Sequence, residues 1–308
     1  MTQPSRRIAI CTDDPGWHGA RLRRAFAEHG WDSGYVSLQA CRFDLTDDGD
    51  GAGLVIPGFD GLPDGAFVRG VPGGTLEQVT FHLDVLHALR RLGILVYNDA
   101  RAIERSVDKC MTSFLLRTAG IPTPPTWCAR DPDWIAELVE RELAAGHQLV
   151  HKPLFGSQGE GLTRVRERGD LPAPDDCNGI HYLQRFIPTG DAGAHDWRVF
   201  VVGGQALAAM RRSSRDWITN VAQGASCHPA VLDAELRTLA ESASAALGMA
   251  YTGVDILRDR EGRAWVIEVN GVPAWKGLQQ VCGLDLAEVL VSDMLRRIHE
   301  NRVMEAVS

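Results

Sequence analysis

Short apolar runs alternate with amphipathic helix patterns through the first hundred residues, and this alternation limits the folds open to the chain. Apolar residues at helical spacing predict helices at 18–29, where the pattern stops at Gly30, and at 75–92. Strands are predicted at 8–11, 35–38, 65–68 and 95–98. Strands that alternate with helices are typical of a parallel sheet with helices packed on it. The sequence therefore predicts a parallel, doubly wound α/β unit at the N-terminus.

The rest of the chain predicts a different arrangement. Helix patterns cover 106–119, 133–145, 233–247 and 285–299. Strand patterns cover 148–152, 162–165, 181–186, 197–202, 206–211, 253–257 and 265–269. Between residues 181 and 211 the strand patterns follow one another closely, which is the spacing of an antiparallel sheet. A mixed α and β architecture is therefore expected after residue 100.

Three oxygen-bearing side chains lie on the last two predicted strands. Because alternate residues of a strand point to one face, Glu268 and Asn270 project together, and pairing through the turn at 258–263 would bring Asp255 to the same face. Magnesium prefers such hard oxygen ligands and keeps positions for nucleotide phosphates and water. The alternative is an exposed strand face with ordinary hairpin charges. The apolar flanking residues favour a buried hairpin instead, in which unpartnered carboxylates are costly.

A glycine-rich segment, 156–161, follows the predicted strand that ends near Lys152. Such a loop can fold over phosphates and offer backbone N–H groups, while the lysine neutralises the phosphate charge. Its spacing matches neither a Walker A motif nor a dinucleotide-binding fingerprint. The alternative is an ordinary glycine turn between two strands.

Further basic side chains complete the set of candidates. Lys109 lies in a helix pattern, where a lysine on its own is usually solvated. Arg198 lies in one predicted strand, and Arg211 and Arg212 end the next. Arginines that project from a sheet can clamp an acyl phosphate or a carboxylate. The alternative is a set of surface ion pairs.

Composition narrows the class of protein. The 308 residues are 44% apolar and 23% charged, as in a soluble protein of more than one domain. A net charge of −8 argues against a surface that coats nucleic acid. The seven cysteines are scattered, without a CxxC pair, so we expect no disulfide framework or zinc site and a reducing cytoplasm. No apolar run predicts a signal peptide or a membrane-spanning helix.

Seven motifs, in order, resemble the ATP-grasp superfamily and, within it, the RimK-type α-L-glutamate ligases. The motifs are Asn98-Asp99…Ser106…Asp108-Lys109, 120–124, Lys152-Pro153…156–161, 184–188, 196–198, 220–224 and Asp255…Glu268-Val269-Asn270. The resemblance covers residues 98 to 293. It implies an α+β ATP-grasp unit behind the N-terminal α/β domain. The implied boundaries are 1–98 for the N-terminal domain, 99–183 for a central subdomain with a glycine-rich flap and 184–308 for a subdomain with the magnesium site.

The resemblance also implies a role for each matched residue. The ATP-binding residues would be Lys109, Lys152, Gly156, Ser157, Gln158, Gly159, Gly161, Gln184, Arg185, Phe186, Ile187, Asp196, Ile218, Thr219 and Asn220. Among them, 184–187 would receive adenine through backbone groups, although family members often have an acidic residue in place of Arg185. Asp255, Glu268 and Asn270 would hold one or two Mg²⁺ ions, with Mn²⁺ able to replace them. Arg198 and Arg211 would face an acyl-phosphate intermediate.

The implied activity joins an amine to a carboxylate. ATP would convert the carboxylate to an acyl phosphate, an amine would attack it, and ADP and phosphate would leave. The implied partners are ATP, an amino acid (glutamate favoured) and a carboxylate acceptor on a cofactor or protein, with no nucleic acid or membrane and with a homo-oligomer left open. The segment 270–279 resembles the branch that acts on pterin- and furan-type cofactors.

Two alternatives remain open on the sequence alone. A ligase of the same kind could use a different amine, because the specificity residues are expected in the N-terminal unit and around 211–220 and 271–278, which the motifs do not decode. A nucleotide-binding module without catalysis would lack a metal ligand or a phosphate lysine, whereas all five candidates are present here.

Overall fold

A computed structural model describes residues 7–46, 53–156, 159–189 and 194–307. The chain forms two compact units. The first is built from residues up to Ile103, Met249–Tyr251 and residues from Val272 onward, and the second from Glu104–Gly248 and Thr252–Gly271. The division into three consecutive domains stays a prediction. In the structure, the segment from Val272 onward makes most of its contacts with the first unit and belongs to it.

Strands and helices cover most of the described residues. The strands are β1 (Arg7–Cys11), β2 (Asp32–Val36), β3 (Arg42–Phe43), β4 (Leu54–Val55), β5 (Gly65–Val68), β6 (Leu95–Tyr97), β7 (Thr126–Ala129), β8 (Leu149–Lys152), β9 (Thr163–Val165), β10 (His181–Arg185), β11 (Ala194–Val202), β12 (Gln205–Ser214), β13 (Ser226–Pro229), β14 (Tyr251–Arg258) and β15 (Ala264–Asn270). The helices are α1 (Gly16–Glu28), α2 (Leu76–Arg91), α3 (Ala100–Val107), α4 (Lys109–Thr118), α5 (Pro132–Ala144), α6 (Ala234–Leu247), α7 (Lys276–Gln279) and α8 (Leu286–Val307). Among the helices of the described residues, none combines the length and apolar character that crossing a membrane requires.

The first unit contains the predicted parallel sheet, with strands in the order β2-β1-β5-β6. Helices cover both of its faces. Ala9 and Val68 pack in one core with Leu86 of α2, whereas on the other face Phe67 contacts Phe26 of α1, with ring centroids 6.3 Å apart. Successive strand residues thus alternate between two helical layers, which confirms the doubly wound arrangement.

The second unit contains two largely antiparallel sheets. One has the order β7-β10-β8-β9 and the other the order β13-β12-β11-β14-β15. Helix α5 covers one face of the four-stranded sheet, where Ile135 and Leu138 share a core with Leu149 and Leu183. The opposite face of that sheet carries Lys152 and faces the candidate site described below.

Side-chain caps shift some element bounds from those predicted. The single helix predicted over 106–119 is wrong in its extent, because the chain breaks at Asp108 between α3 and α4. The Asp108 carboxylate accepts the Met111 N–H at 3.0 Å and so caps α4. The strand predicted over 35–38 ends earlier, at Val36, because Ser37 caps a short 3₁₀ turn by accepting the Gln39 N–H at 3.2 Å. Helix α8 continues beyond the predicted end at residue 299.

Asn98 explains why residues 249–251 belong to the first unit. Its side chain is fully buried, and its Nδ2 donates to the Tyr251 carbonyl at 2.6 Å. Its Oδ1 accepts the N–H groups of Ala250 at 2.7 Å and Tyr251 at 3.1 Å. One amide therefore satisfies three backbone groups of a segment that lies 150 residues away in the sequence.

Replacing this amide should destabilise the fold. We expect Asn98→Ala to lower the free energy of unfolding by about 3 kcal/mol, since buried backbone groups would lose their partner. Asn301→Ala, at an exposed position of α8, is the matched control and should change the free energy by about 0.5 kcal/mol or less. Urea denaturation measures both values, and equal effects would contradict the role given to Asn98.

Candidate active site

A cavity within the second unit brings together most of the predicted site residues. Those that line it are Lys109, Lys152, Gly156, Gly159, Gln184, Arg185, Phe186, Ile187, Asp196, Ile218, Thr219, Asn220, Asp255 and Glu268. Gly161, Arg198, Arg211 and Asn270 are described by the structure but are not among the lining residues. Ser157 and Gln158 lie outside the described residues.

The hairpin of β14 and β15 places the three predicted metal ligands on one face. Its register pairs Asp255 with Glu268 and Gly253 with Asn270, and directly opposite residues of antiparallel strands share a face. The Asn270 Nδ2 lies 3.5 Å from Asp255 Oδ2. In the described part of the chain, the Glu268 carboxylate makes no hydrogen bond or salt bridge, so its oxygens are available to a ligand. Their role in binding metal stays a prediction.

Beside this hairpin lies a buried network of two carboxylates and two guanidinium groups. Arg198 binds Asp255 through both Nε and Nη2, the second at 2.7 Å from Oδ2. Arg212 Nη2 lies 2.9 Å from Asp255 Oδ2, and the same guanidinium donates to both oxygens of Asp196 at 2.7 and 2.5 Å. Thr219 Oγ1 donates to Asp196 Oδ2 at 2.6 Å. Two acidic and two basic groups together leave the network neutral.

Burial and charge act against each other in this network. Burial alone would raise the pKa of Asp255, but the charges and hydrogen bonds of Arg198 and Arg212 outweigh it and hold that pKa below its ordinary value. Burial raises the pKa of Asp196, and Arg212 and Thr219 offset this only in part. Burial would lower the pKa of Arg212, yet the two carboxylates hold it above its ordinary value. Arg212 is therefore the cation that both carboxylates require.

Arg211 and Arg212 point to opposite faces of β12. Arg212 is opposite Asp196 and buried, whereas Arg211 is opposite Trp197 and exposed. The role given to Arg211 stays a prediction, although the structure does not bring this residue to the cavity. Arg212 does line the cavity, and the sequence did not separate it from its neighbour. Only the register of β11 on β12, which places Arg212 opposite Asp196, separates the two arginines.

Two lysines approach the cavity from different elements. Lys152 Nζ donates to Gln184 Oε1 at 2.7 Å, and Lys109 Nζ donates to the Gly156 carbonyl at 2.8 Å. Burial lowers the pKa of Lys152 to about 8 against the opposing charge of Glu268, while Lys109 adds to the lowering. Burial likewise lowers the pKa of Lys109, again opposed by Glu268. Among the residues that the structure describes, neither lysine forms a salt bridge with Glu268, and two desolvated cations without a paired anion would gain from an added polyanion, so the site fits phosphate groups.

The loop after Lys152 requires glycine at two positions. Gly159 and Gly161 have φ values of 73° and 68°, which L side chains rarely adopt. A Cβ atom at position 161 would also lie 2.7 Å from Pro153 Cγ. The Gly159 carbonyl accepts the Gln223 side-chain amide at 2.7 Å. Among the described residues of this segment, Gly156, Gly159 and Glu160 line the cavity.

Two backbone N–H groups of the predicted adenine hinge, residues 184–187, already make hydrogen bonds within the protein. The Arg185 N–H donates to the Pro125 carbonyl and the Phe186 N–H to the Gln148 carbonyl, both at 2.8 Å. These two N–H groups already have partners, so the predicted adenine contacts would need other backbone groups of 184–187. The Arg185 side chain binds Glu142 at 2.7 Å, so the basic residue at this position has its own acidic partner and does not place an unpaired charge in the hinge.

Within the predicted specificity segment 271–278, Trp275 is buried in the core of the first unit. Within the first unit, Trp275 is 1% exposed and its ring centroid lies 4.9 Å from that of Trp17 and 4.8 Å from that of His18. The backbone N–H of Trp275 donates to His18 Nε2 at 3.1 Å. This tryptophan therefore fixes the segment 271–278 rather than presenting an exposed ring to a substrate.

Comparison with known families agrees with this geometry. The RimK-like ATP-grasp domain matches residues 106–294. This chain belongs to the RimK-like ATP-grasp family. The tetrahydromethanopterin:α-L-glutamate ligase of Methanococcus maripaludis is 34% identical over 244 residues, covering 76% of this chain and 80% of the relative. The ligase of the same name from Methanosarcina acetivorans is 27% identical over 324 residues, covering 93% and 98%.

A solved structure shows the same fold. The ATP-grasp ligase PsnB, in complex with a phosphomimetic variant of a minimal precursor, Mg and ADP, superposes with a TM-score of 0.73 at 20% identity over 96% of this chain and 99% of PsnB. The predicted ATP-grasp fold is thereby confirmed, with a parallel sheet followed by antiparallel sheets. The chain is an ATP-grasp ligase.

The adjacent arginines of β12 allow a matched test of the buried network. We expect Arg212→Met to lower the free energy of unfolding by about 3–5 kcal/mol, because two buried carboxylates would lose a shared cation. Arg211→Met should change it by about 0.5 kcal/mol or less, since this side chain is exposed. Urea denaturation of the two variants decides the matter, and similar losses would show that Arg212 is not the centre of the network.

Proposed function

We propose that this ligase adds L-glutamate to a carboxylate of a small-molecule cofactor, forming an amide through an acyl phosphate and releasing ADP and phosphate. The observation that carries the proposal is that Lys109, Lys152 and Glu268 all line one cavity. Glutamate is supported by the names of the two methanogen ligases, which also make a pterin cofactor the first acceptor to test. A different amino acid remains the second candidate.

The charge distribution of the cavity suits ATP with a divalent ion. Lys109 and Lys152 would hold the phosphates. Asp255, Glu268 and Asn270 would hold Mg²⁺ or Mn²⁺, which when bound offsets charge on the phosphates. Glu268 is the principal anionic ligand in this assignment, because its carboxylate is available whereas both oxygens of Asp255 already accept hydrogen bonds from guanidinium groups.

The arginines of the network can orient the reacting carboxylate. A guanidinium presents a planar fork that matches a carboxylate or an acyl phosphate through two hydrogen bonds. Arg212 lines the cavity, whereas Arg198 does not line it but binds Asp255, which does. We infer that Arg212 contacts the substrate and that Arg198 positions Asp255. The assignment of Arg211 to the intermediate is kept as the alternative, which a turnover assay of the Arg211 variant tests.

The metal assignment leads to a specific variant. Glu268→Gln should lower turnover by about 100-fold or more, because one anionic oxygen between metal and phosphates is replaced by a neutral amide. Titration with Mg²⁺ or Mn²⁺ should show a higher half-saturating concentration in this variant. Glu137→Gln, at an exposed position of α5, is the control with expected wild-type rates. Wild-type turnover of Glu268→Gln at ordinary Mg²⁺ would refute the metal assignment.

The reaction itself is tested by following oxygen atoms. The acceptor is supplied with isotopically labelled carboxylate oxygens, together with ATP, Mg²⁺ and each of the common amino acids in turn. An acyl-phosphate route must move label into the released phosphate, because the carboxylate oxygen that attacks phosphorus leaves with it. Label in AMP would identify an adenylating ligase instead. Turnover with an amino acid other than glutamate would select the second candidate while leaving the chemistry intact.

A further inference from the structure

Three metal-binding side chains converge on the face of the four-stranded sheet that lies opposite the cavity. His151 of β8 is opposite Leu183 of β10, and His181 lies two residues before Leu183, so both imidazoles project to the face covered by α5. Cys177 ends a 3₁₀ turn (Pro174–Cys177) immediately before β10. Lys152, the next residue after His151, projects to the cavity.

The ligand atoms of these three side chains lie close to the separations that a tetrahedral zinc site requires. The Cys177 sulfur lies 3.6 Å from His181 Nδ1 and 3.7 Å from Nε2. With Zn–S and Zn–N bonds of usual length, two ligand atoms of a tetrahedral site are about 3.6 Å apart. One ligand atom from each of the three residues lies within 4.8 Å of the others. Side-chain movements that shift the ligand atoms by about 1 Å would therefore give tetrahedral zinc coordination.

His151 gives an independent indication that something binds here. The residue is 2% exposed, and neither ring nitrogen has a hydrogen-bond partner in the described part of the chain. A buried imidazole without partners is costly, and this one lies on the sheet face that carries the apolar core of Ile135, Leu149 and Leu183. The ring of His181 lies beside it, with centroids 5.3 Å apart. A cation bound between the rings would satisfy the nitrogen that faces it.

We propose that His151, Cys177 and His181 form a zinc site. Two imidazoles and a thiolate are the ligands that Zn²⁺ prefers, and three protein ligands leave a fourth position for water. Cys177 is only partly buried, which gives the ion and that water a route from solvent. The site is separate from the magnesium ligands, which are oxygen donors on the other sheet.

Bound zinc would join three segments. It would connect the 3₁₀ turn that ends at Cys177 to β8 and β10. It would also hold β8 at His151, the residue directly before Lys152. The scattered cysteines, with no CxxC pair among them, predicted no zinc site. The spacing here is instead a single Cys with His four residues later and a distant His brought in by strand pairing.

The test uses the full chain without an affinity tag, stripped of metal and held in excess Mg²⁺. We expect about one equivalent of Co²⁺ per chain to bind and to produce the thiolate-to-cobalt charge-transfer absorption band, which Zn²⁺ then abolishes by displacement. Cys177→Ser should remove the band, and His151→Gln should weaken Zn²⁺ binding by about tenfold or more. Zinc at a hundredfold excess over its Kd should raise the wild-type Tm by about 4 °C.

Two controls separate this site from others. Cys128→Ser removes a partly buried thiol from β7 of the same sheet and should keep the band. Glu268→Gln should also keep it, so zinc binding can fail or succeed independently of the proposed ligase function. Absence of the band in the wild-type chain, or its survival in Cys177→Ser with circular dichroism showing a folded protein, would overturn the proposal and leave a plain Cys177–His181 contact.

Discussion

The fold of the second unit depends on one guanidinium that two buried carboxylates share. Arg212 of β12 binds Asp196 of β11 and Asp255 of β14, and so joins three strands of one sheet by charge as well as by backbone hydrogen bonds. Removing ions from water is expensive, and the attraction between them compensates only when every lone pair and proton is matched. The bidentate hydrogen bonds of Arg212 to Asp196 and of Arg198 to Asp255 provide that match.

This neutral network determines which charges remain for a ligand. Because the guanidiniums satisfy Asp255, the available anion of the hairpin is Glu268, and the cations that face it are Lys109 and Lys152. The lysines come from the start of α4 and the end of β8, so two elements must be positioned correctly before the cavity acquires its charge. The Asp108 cap of α4 and the antiparallel pairing of β8 with β10 provide this positioning.

Much of this could be predicted from patterns that repeat along the chain. The alternation of strands and helices predicted the parallel sheet, and the period of two along the last hairpin predicted the shared face of Asp255, Glu268 and Asn270. What could not be predicted depends on pairing between distant segments. The choice between Arg211 and Arg212 needs the register of β11 on β12. The acidic partner of Arg185 lies 43 residues away on α5 and has no signature of its own.

The strand β8 shows why consecutive residues can belong to different chemistry. His151 and Lys152 are neighbours in the sequence, yet the pleat directs one toward the apolar layer under α5 and the other toward the cavity. The glycine-rich segment that follows Lys152 indicated a role for the lysine, whereas no motif in the sequence includes His151. Its partners, Cys177 and His181, are reached only because β10 is antiparallel to β8 and returns the chain to the same edge of the strand.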